Sequence, residues 1–283
     1  MASRTTPTQR QRRLGIEVRK LRTGVDMSAE FAAGLLGVDR GKISNIESGI
    51  RNINPDRLQT LITHCECINE AFATALLKLA VPSRRNWWDE YRGRLSPGLL
   101  DIAELEWNAV RIQNVQSIHV PGLLQTEDYA RSIFAAVLPA LSRLEVELRV
   151  AHRVERQQVL NREHPVGFVG YVHEAALRMR FGGDDATRSQ LNALITASEK
   201  DNITIRVVPV ARGSFPGAGQ SLLYAEGAVP QLDTVQVDSA HGPDFLHTEP
   251  HLAKYRAHLE WMDKECLSVS ASRDFIHSLV REL

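Results

Sequence analysis

The chain has 283 residues, with 34 lysines and arginines against 34 aspartates and glutamates, so its formal net charge is zero. That length predicts two domains of ordinary size, and a composition of 43% hydrophobic and 24% charged residues excludes a disordered or low-complexity chain. No run approaches the roughly 18 apolar residues of a membrane span. The opening MASRTTPTQRQRR has no apolar core of a secretory signal, and the three cysteines Cys65, Cys67 and Cys266 are too few and odd in number for a disulfide framework, so the expectation is a cytoplasmic protein without a membrane partner.

A zero net charge leaves nucleic acid open as a partner, because the distribution of charge matters more than its sum. Up to Arg22 the chain carries Arg4, Arg10, Arg12, Arg13, Arg19, Lys20 and Arg22 against a single acid, Glu17. This stretch reads as a basic arm leading into a helix whose apolar face is Leu14, Val18 and Leu21. Ser28 is placed to cap a second helix, and Gly37 to end it. Asp39 then caps a short third helix that holds Ile43 and Ile46 and stops at Gly49. Asn54-Pro55 opens a fourth helix, with proline at its first position, and AFATALLKLA forms a fifth that runs to Pro82. The segment VPSRRNWWDEYRGRLSPG reads as a linker into a second domain, with Trp87, Trp88 and Tyr91 docked on a surface. The predicted domains are therefore 1–82 and 83–283.

Beyond Asp101 the pattern predicts helices at 101–114, 127–137, 141–161, 174–180, 186–199, 250–266 and 270–281. Strands are predicted at GFVGYV, ITIRVVPV, QSLLYAE and TVQVDS. Helices come first, then strands, then helices again. The predicted class is α+β: an all-α five-helix N-terminal domain followed by a larger α+β domain.

The stretch SAEFAAGLLGVDRGKISNIESG carries the function. Ala33 must be small where the next helix crosses, Gly37 turns the chain, and Val38, Ile43 and Ile46 hold the third helix against the second. With Ser44 and Glu47 these residues resemble the helix-turn-helix of the Xre (Cro/C1) repressor family. The resemblance implies that the outer face of the third helix enters the major groove of double-stranded DNA. On that face Arg40, Lys42 and Asn45 are the expected base readers, since arginine and lysine donate to guanine and asparagine pairs with adenine. Arg12, Arg13, Ser28, Ser44 and Arg51 are expected at the phosphate backbone, with Gly41 permitting close approach. Glu47 reads as an ion-pairing residue. Ala29 departs from the glutamine common in the family, which removes one phosphate contact, and Phe31 stands where a polar residue is usual.

Further on, PGLLQTEDYARSIF, ERQQVL, HEAALRMRFGG, QLNAL and ITIRVVPVARGSFPGAGQ resemble the large C-terminal domain of actinobacterial Xre-type regulators described as antitoxin-like or developmental. This resemblance implies a small acidic protein, encoded by a neighbouring gene, as partner. Arg178, Arg180 and Arg188 are the cations expected to attract it, and Phe215 with Pro216 in the loop ARGSFPGAG are its expected apolar anchor.

There is no H-E-x-x-H, G-x-S-x-G, Walker loop or G-x-G-x-x-G, and His64, Cys65 and Cys67 lack a second ligand pair at zinc spacing. No cofactor, no metal and no catalysis are therefore expected. The reading is a homodimeric transcriptional regulator, expected to repress, with a C-terminal domain that dimerises and responds to a protein or ligand. Two alternatives are an antitoxin-like half of a two-protein system and a DNA-tethered ligand-processing enzyme.

Overall fold

The computed structural model describes residues 6–67, 69–81, 85–239 and 241–283. Arg4 and the predicted boundary at 82/83 lie outside them. The chain divides into two compact units. One comprises Met1–Arg92, Ser96–Glu104 and Ala228–Gln231; the other comprises Gly93–Leu95, Leu105–Gly227 and Leu232–Leu283.

The first unit contains α1 (Gln9–Gly24), α2 (Ala29–Leu35), α3 (Arg40–Glu47), α4 (Pro55–His64) and α5 (Glu70–Ala80). Each starts on a side-chain cap that satisfies otherwise unpaired N–H groups. Thr8 and Gln11 form a capping box on α1, Ser28 accepts from Phe31 N, Asp39 from Lys42 N, Asn54 from Asp56 N and Arg57 N, and Asn69 from Phe72 N. The core is Leu14, Val18, Ala32, Ala33, Leu36, Ile43, Ile46, Ile53, Leu58, Leu61, Ile62 and Leu76, all buried. The turn Trp87–Tyr91 buries Trp88 and Tyr91.

The helix α6 (Pro97–Asn108) leads into the second unit. There the chain runs β1 (Arg111–Gln116), α7 (Glu127–Ala135), α8 (Arg143–Arg156), β2 (Gly167–His173), α9 (Glu174–Arg178), α10 (Gly183–Ala197) and β3 (Ile203–Val208). It continues through β4 (Leu222–Glu226), β5 (Thr234–Ser239), β6 (Gly242–Leu246), α11 (Glu249–Glu265) and α12 (Val269–Glu282). One six-stranded sheet has the order β3-β2-β1-β4-β5-β6. Strands β1, β2 and β3 are parallel and joined through helices, while β4, β5 and β6 form an antiparallel meander. The class is α+β, as expected.

Strand alternation sends Ile112, Leu223, Ala225, Phe168 and Ile205 into one core with Leu191, Leu194, Ile276 and Leu279, and Val115, Tyr171, Tyr224 and Val235 into another with Leu252, Leu259 and Met262.

Two strands were not expected. The predicted helix over 101–114 ends at Asn108, and Arg111–Gln116 forms the central strand β1 instead. Its sequence RIQNVQ carries three amide side chains, which hid a strand that is paired on both edges. The short β6, GPDFL, is an edge strand with proline in it, the place where proline is tolerated.

The first unit depends on one tight crossing. A Cβ on Gly15 of α1 would meet the carbonyl oxygens of Ile46 and Glu47, the second at 2.6 Å, and a Cβ on Gly49 would lie 2.7 Å from Arg12 N. Gly15→Ala is therefore expected to destabilise the chain by about 1–3 kcal/mol through overpacking, despite the better helix propensity of alanine. Gly34→Ala in α2, with nothing within 4 Å of the new carbon, should instead stabilise by roughly 0.5–1 kcal/mol. Thermal unfolding followed by circular dichroism separates the two, and a Gly15→Ala chain at least as stable as the wild type would mean that the crossing is not tight.

Candidate nucleic-acid interface

Between α2 and α3 the chain turns on Gly37, whose φ of +61° lies in the left-handed region. Val38 N donates to Ala33 O at 2.9 Å and Gly37 N to Gly34 O at 3.3 Å. This is the paired hydrogen-bond pattern of a Schellman end, which favours glycine at this position. Ala33 is buried beneath the crossing. The angle between the two helices is thus set by backbone hydrogen bonds rather than by loop sequence.

On α3, Ile43 and Ile46 are buried and face the core. Glu47 is held by Arg22, whose Nε donates to Oε1 at 2.5 Å and whose Nη2 donates to Oε2 at 3.2 Å, while Nη1 donates to Met27 O at 2.5 Å. The hydrogen bond to Glu47 raises the Arg22 pKa further above its ordinary value. Glu47 is therefore an ion-pairing residue, as expected, and it locks the last turn of α3 to α1.

The opposite face of α3 is open. Arg40, Gly41, Ser44, Asn45 and Ser48 are exposed, and Arg51 is exposed just beyond. Ser48, which sequence reasoning passed over, shares this face at helical spacing from Ser44 and Asn45, and its hydroxyl donates to Asn45 O at 3.2 Å. Lys42 stands at the edge, half-buried, with Nζ 2.9 Å from Asp39 Oδ2. That pair must open before Lys42 can donate to a base. Ser28 is exposed at the start of α2, where its hydroxyl is occupied as a cap, with Phe31 N donating at 3.0 Å.

The basic arm is largely absorbed by the fold. Arg10 donates to the carbonyls of Lys78, Leu79 and Val81 at the end of α5, where a cation is favoured. Arg12 lies 3.4 Å from the buried carboxylate of Asp101. Arg13 corrects the expectation of a phosphate contact: only 4% of its side chain is exposed, it pairs with Glu17 at 3.1 Å, and it donates to Gln231 O. Arginine four residues before glutamate on one helix face closes into an internal pair, which the count of charges concealed.

The residues expected at an effector site are also engaged. Arg178 pairs with Glu174 at 2.7 Å and Glu282 at 2.8 Å, Arg180 with Asp184 at 2.8 Å, and Arg188 Nη1 donates to Val280 O at 3.0 Å. Carboxylates thus answer Arg178 and Arg180, whereas Arg188 is held by a backbone carbonyl. Phe215 is half-buried against the core and stacks edge-on against His173, 5.4 Å between ring centres, with Pro216 beside it opening a short 3-10 turn. Glu174 accepts from Val210 N at 3.0 Å, so α9 and this loop form one braced structure. His64, Cys65 and Cys67 end α4, with Glu66 at positive φ and Cys67 N donating to Ile62 O at 3.3 Å. Among the described residues no helix is long and apolar enough to cross a membrane.

Comparison with known families agrees with this geometry. A family model described as Helix-turn-helix matches residues 18–67, and one described as Domain of unknown function (DUF5753) matches residues 99–278. Comparison with curated proteins and with solved structures finds no match.

The cap of α3 has a pH signature. Hydrogen bonds from the Lys42 side chain and then its backbone N–H hold the Asp39 carboxyl below the usual carboxylate range. A folded-state pKa below the unfolded value of about 3.9 means that this contribution is fully present above that pH and is lost as pH falls through the lower folded value. Asp39→Asn keeps an N-cap and removes the titration. The difference in melting temperature between wild type and Asp39→Asn should narrow or reverse in favour of the variant as pH drops below about 4. A constant difference across that range would remove Asp39 from the account.

Proposed function

The chain belongs to the DUF5753 family and carries an Xre-type helix-turn-helix that makes it a DNA-binding regulator, and from this premise we propose that it acts as a homodimeric, sequence-specific repressor. The observation that carries the reading is the locked presentation of α3: two isoleucines buried, Glu47 clamped by Arg22, and Arg40, Ser44 and Asn45 turned outward. Arg40 and Asn45 supply base-edge donors and acceptors, with Lys42 joining once its pair with Asp39 opens. Ser28, Ser44, Ser48 and Arg51 take the phosphates, and Gly41 admits the backbone closely.

A single eight-residue recognition helix reads only a few base pairs, too little to select one site in a genome. Two copies related by a two-fold axis, with recognition helices roughly 34 Å apart, supply the missing discrimination. The second unit provides the dimer surface and the response to a signal, as a binding module of the cytoplasmic regulator rather than as a catalyst. A small acidic protein remains the proposed partner. It would have to compete with Glu174, Asp184 and Glu282 for the arginines of α9 and the turn that follows, or dock elsewhere.

The test is footprinting of the strongest genomic site with the full chain, together with its mass in solution. The expected result is a symmetric footprint and a dimer; a monomer that protects an asymmetric site one per DNA overturns the dimeric reading. On that site Arg40→Ala should weaken binding by about 1–3 kcal/mol and relax base preference, whereas Arg51→Ala should weaken all DNA alike and flatten the salt dependence. Arg13→Ala should lower the melting temperature and leave the salt slope of the surviving folded protein unchanged. Gel-shift titrations at several salt concentrations check all three, and full operator preference in Arg40→Ala would exclude α3 as the reader.

A further inference from the structure

The first unit contains a cavity of about 400 Å³ beside the start of α1, within the roughly 300–1,000 Å³ of small-molecule sites. All of its lining residues belong to that unit. They come from the start of α1, the loop between α3 and α4, the end of α5, the Trp87–Tyr91 turn with Arg92, and the first half of α6. Only the folded chain brings these five stretches together, so no motif in the sequence announces the cavity.

Part of the lining is apolar: Leu14, Leu79, Ala80, Trp88 and Leu100, with Ile50 exposed to solvent. The rest is largely polar, and its charges stand in pairs. Asp101 lies 3.4 Å from Arg12, and Asp89 is bound by Arg92. A net charge on a ligand meets a like charge in such pairs, at a cost that rises as water leaves.

A third pair does not close. Arg10 Nη1 stands 4.0 Å from Glu104 Oε1, beyond hydrogen-bond reach, with both side chains largely buried. Nε and Nη2 of Arg10 are spent on the carbonyls of Lys78, Leu79 and Val81 at the end of α5, but Nη1 makes no hydrogen bond among the described residues. Asn52, also in the lining, accepts at Oδ1 from Gln11 Nε2 at 3.0 Å, while its Nδ2 makes no hydrogen bond among the described residues. Arg10 and Glu104 thus present a donor and an acceptor side by side. A group that offers an acceptor and a donor in matching order bridges them.

We propose that this cavity binds a neutral small molecule with a carbonyl beside an N–H on an apolar body, the lactam edge shared by cyclic dipeptides and nucleobases. The carbonyl accepts from Arg10 Nη1 and the adjacent N–H donates to Glu104. A second carbonyl accepts from Asn52 Nδ2, and the apolar body rests on Leu14, Ala80 and Leu100. A free carboxylate is opposed by Asp101 and Glu104, and an ammonium by Arg10. The site also has a route to DNA. Ile50 and Asn52 line the cavity, and between them stands Arg51, the exposed residue assigned above to the phosphates. An occupant that holds both neighbours bears on Arg51. That second step rests on the DNA-binding reading, whereas the ligand site does not.

The experiment is calorimetric titration of the full chain without DNA. One arm uses cyclo(Gly-Leu) and cyclo(Leu-Leu), the other thymine and hypoxanthine. Each is matched with its N-methylated analogue, and linear glycyl-leucine is the zwitterionic control. The expected result is that at least one lactam binds with a Kd below about 1 mM, while its N-methylated analogue and the linear dipeptide do not. The arm that responds identifies the source. Arg10→Met, which keeps the stem and removes the donors, should weaken that compound at least about tenfold, and Asn52→Ala should weaken it by a smaller factor. Should Arg10→Met fail to fold, Asn52→Ala, at an exposed position, decides. If no lactam binds at millimolar concentration, if an N-methylated analogue binds as well as its parent, or if the folded variants bind like the wild type, the proposal falls. Gel-shift titration of the footprinted site with and without the bound lactam then tests the route to Arg51. A change in affinity of about fivefold or more supports it; an unchanged affinity alongside proven binding overturns that route and leaves the cavity a ligand site.

Discussion

The helix-turn-helix depends on the backbone contact between α1 and α3. Gly15 lies under the carbonyls of Ile46 and Glu47, and Gly49 packs against the backbone at Arg12, so two helices touch with no side chain between them. This closeness lets Arg22 reach Glu47 with both ends of its guanidinium. The recognition helix is then fixed at its start by the Asp39 cap, along its inner face by Ile43 and Ile46, and at its end by the Arg22–Glu47 pair. In the reading role proposed for it, a helix held at three points along eight residues would have little freedom to adapt to a wrong site, and rigidity of this kind favours discrimination over general affinity.

The fold of the first unit also explains where the positive charge went. Seven cations in the first 22 residues look like a DNA-binding arm when only counted. In the structure Arg10 closes α5, Arg12 answers Asp101, Arg13 answers Glu17, and Arg22 answers Glu47. Arg19 remains exposed on α1, with Arg40, Arg51 and Arg57 exposed further along. Long-range attraction to DNA scales with phosphates neutralised, so the four arginines Arg10, Arg12, Arg13 and Arg22 that the fold engages contribute less to it than their number in the sequence suggests.

Much of this was legible in the sequence, and the reason is local chemistry. Ser28, Asp39 and Asn54-Pro55 announced helix starts, Gly37 announced a left-handed turn, and the isoleucines of α3 announced its inner face, because each depends on residues only a few positions apart. The strands β2 to β5 were visible as β-branched runs. What stayed hidden depends on partners distant in sequence. The strand β1 reads as polar because Asn114 satisfies Leu222 O across the sheet, 108 positions away. Gly15 reads as an ordinary helix residue until α3 is laid across it. The cations near Arg178 read as a patch because Glu282 is 104 positions distant.

Asn114 also bears on what the second unit is for. A central strand buried on both faces ordinarily carries apolar side chains. Asn114 Oδ1 is buried without a hydrogen-bond partner among the described residues, and a buried acceptor left without a donor costs about 1–3 kcal/mol. Leucine or valine at that position would remove the cost. The fold carries this deficit on its central strand, while three hydrophobic clusters make its second unit well able to pack. A buried acceptor that packing does not need marks a position where a bound group could supply the missing donor. Completion would stabilise this unit by the binding free energy alone. It would alter DNA binding only if the DNA-bound and free forms differ in their affinity for the ligand, since a ligand moves an equilibrium only by its preference between states. Regulation through this domain therefore requires two arrangements of the chain that a bound partner distinguishes.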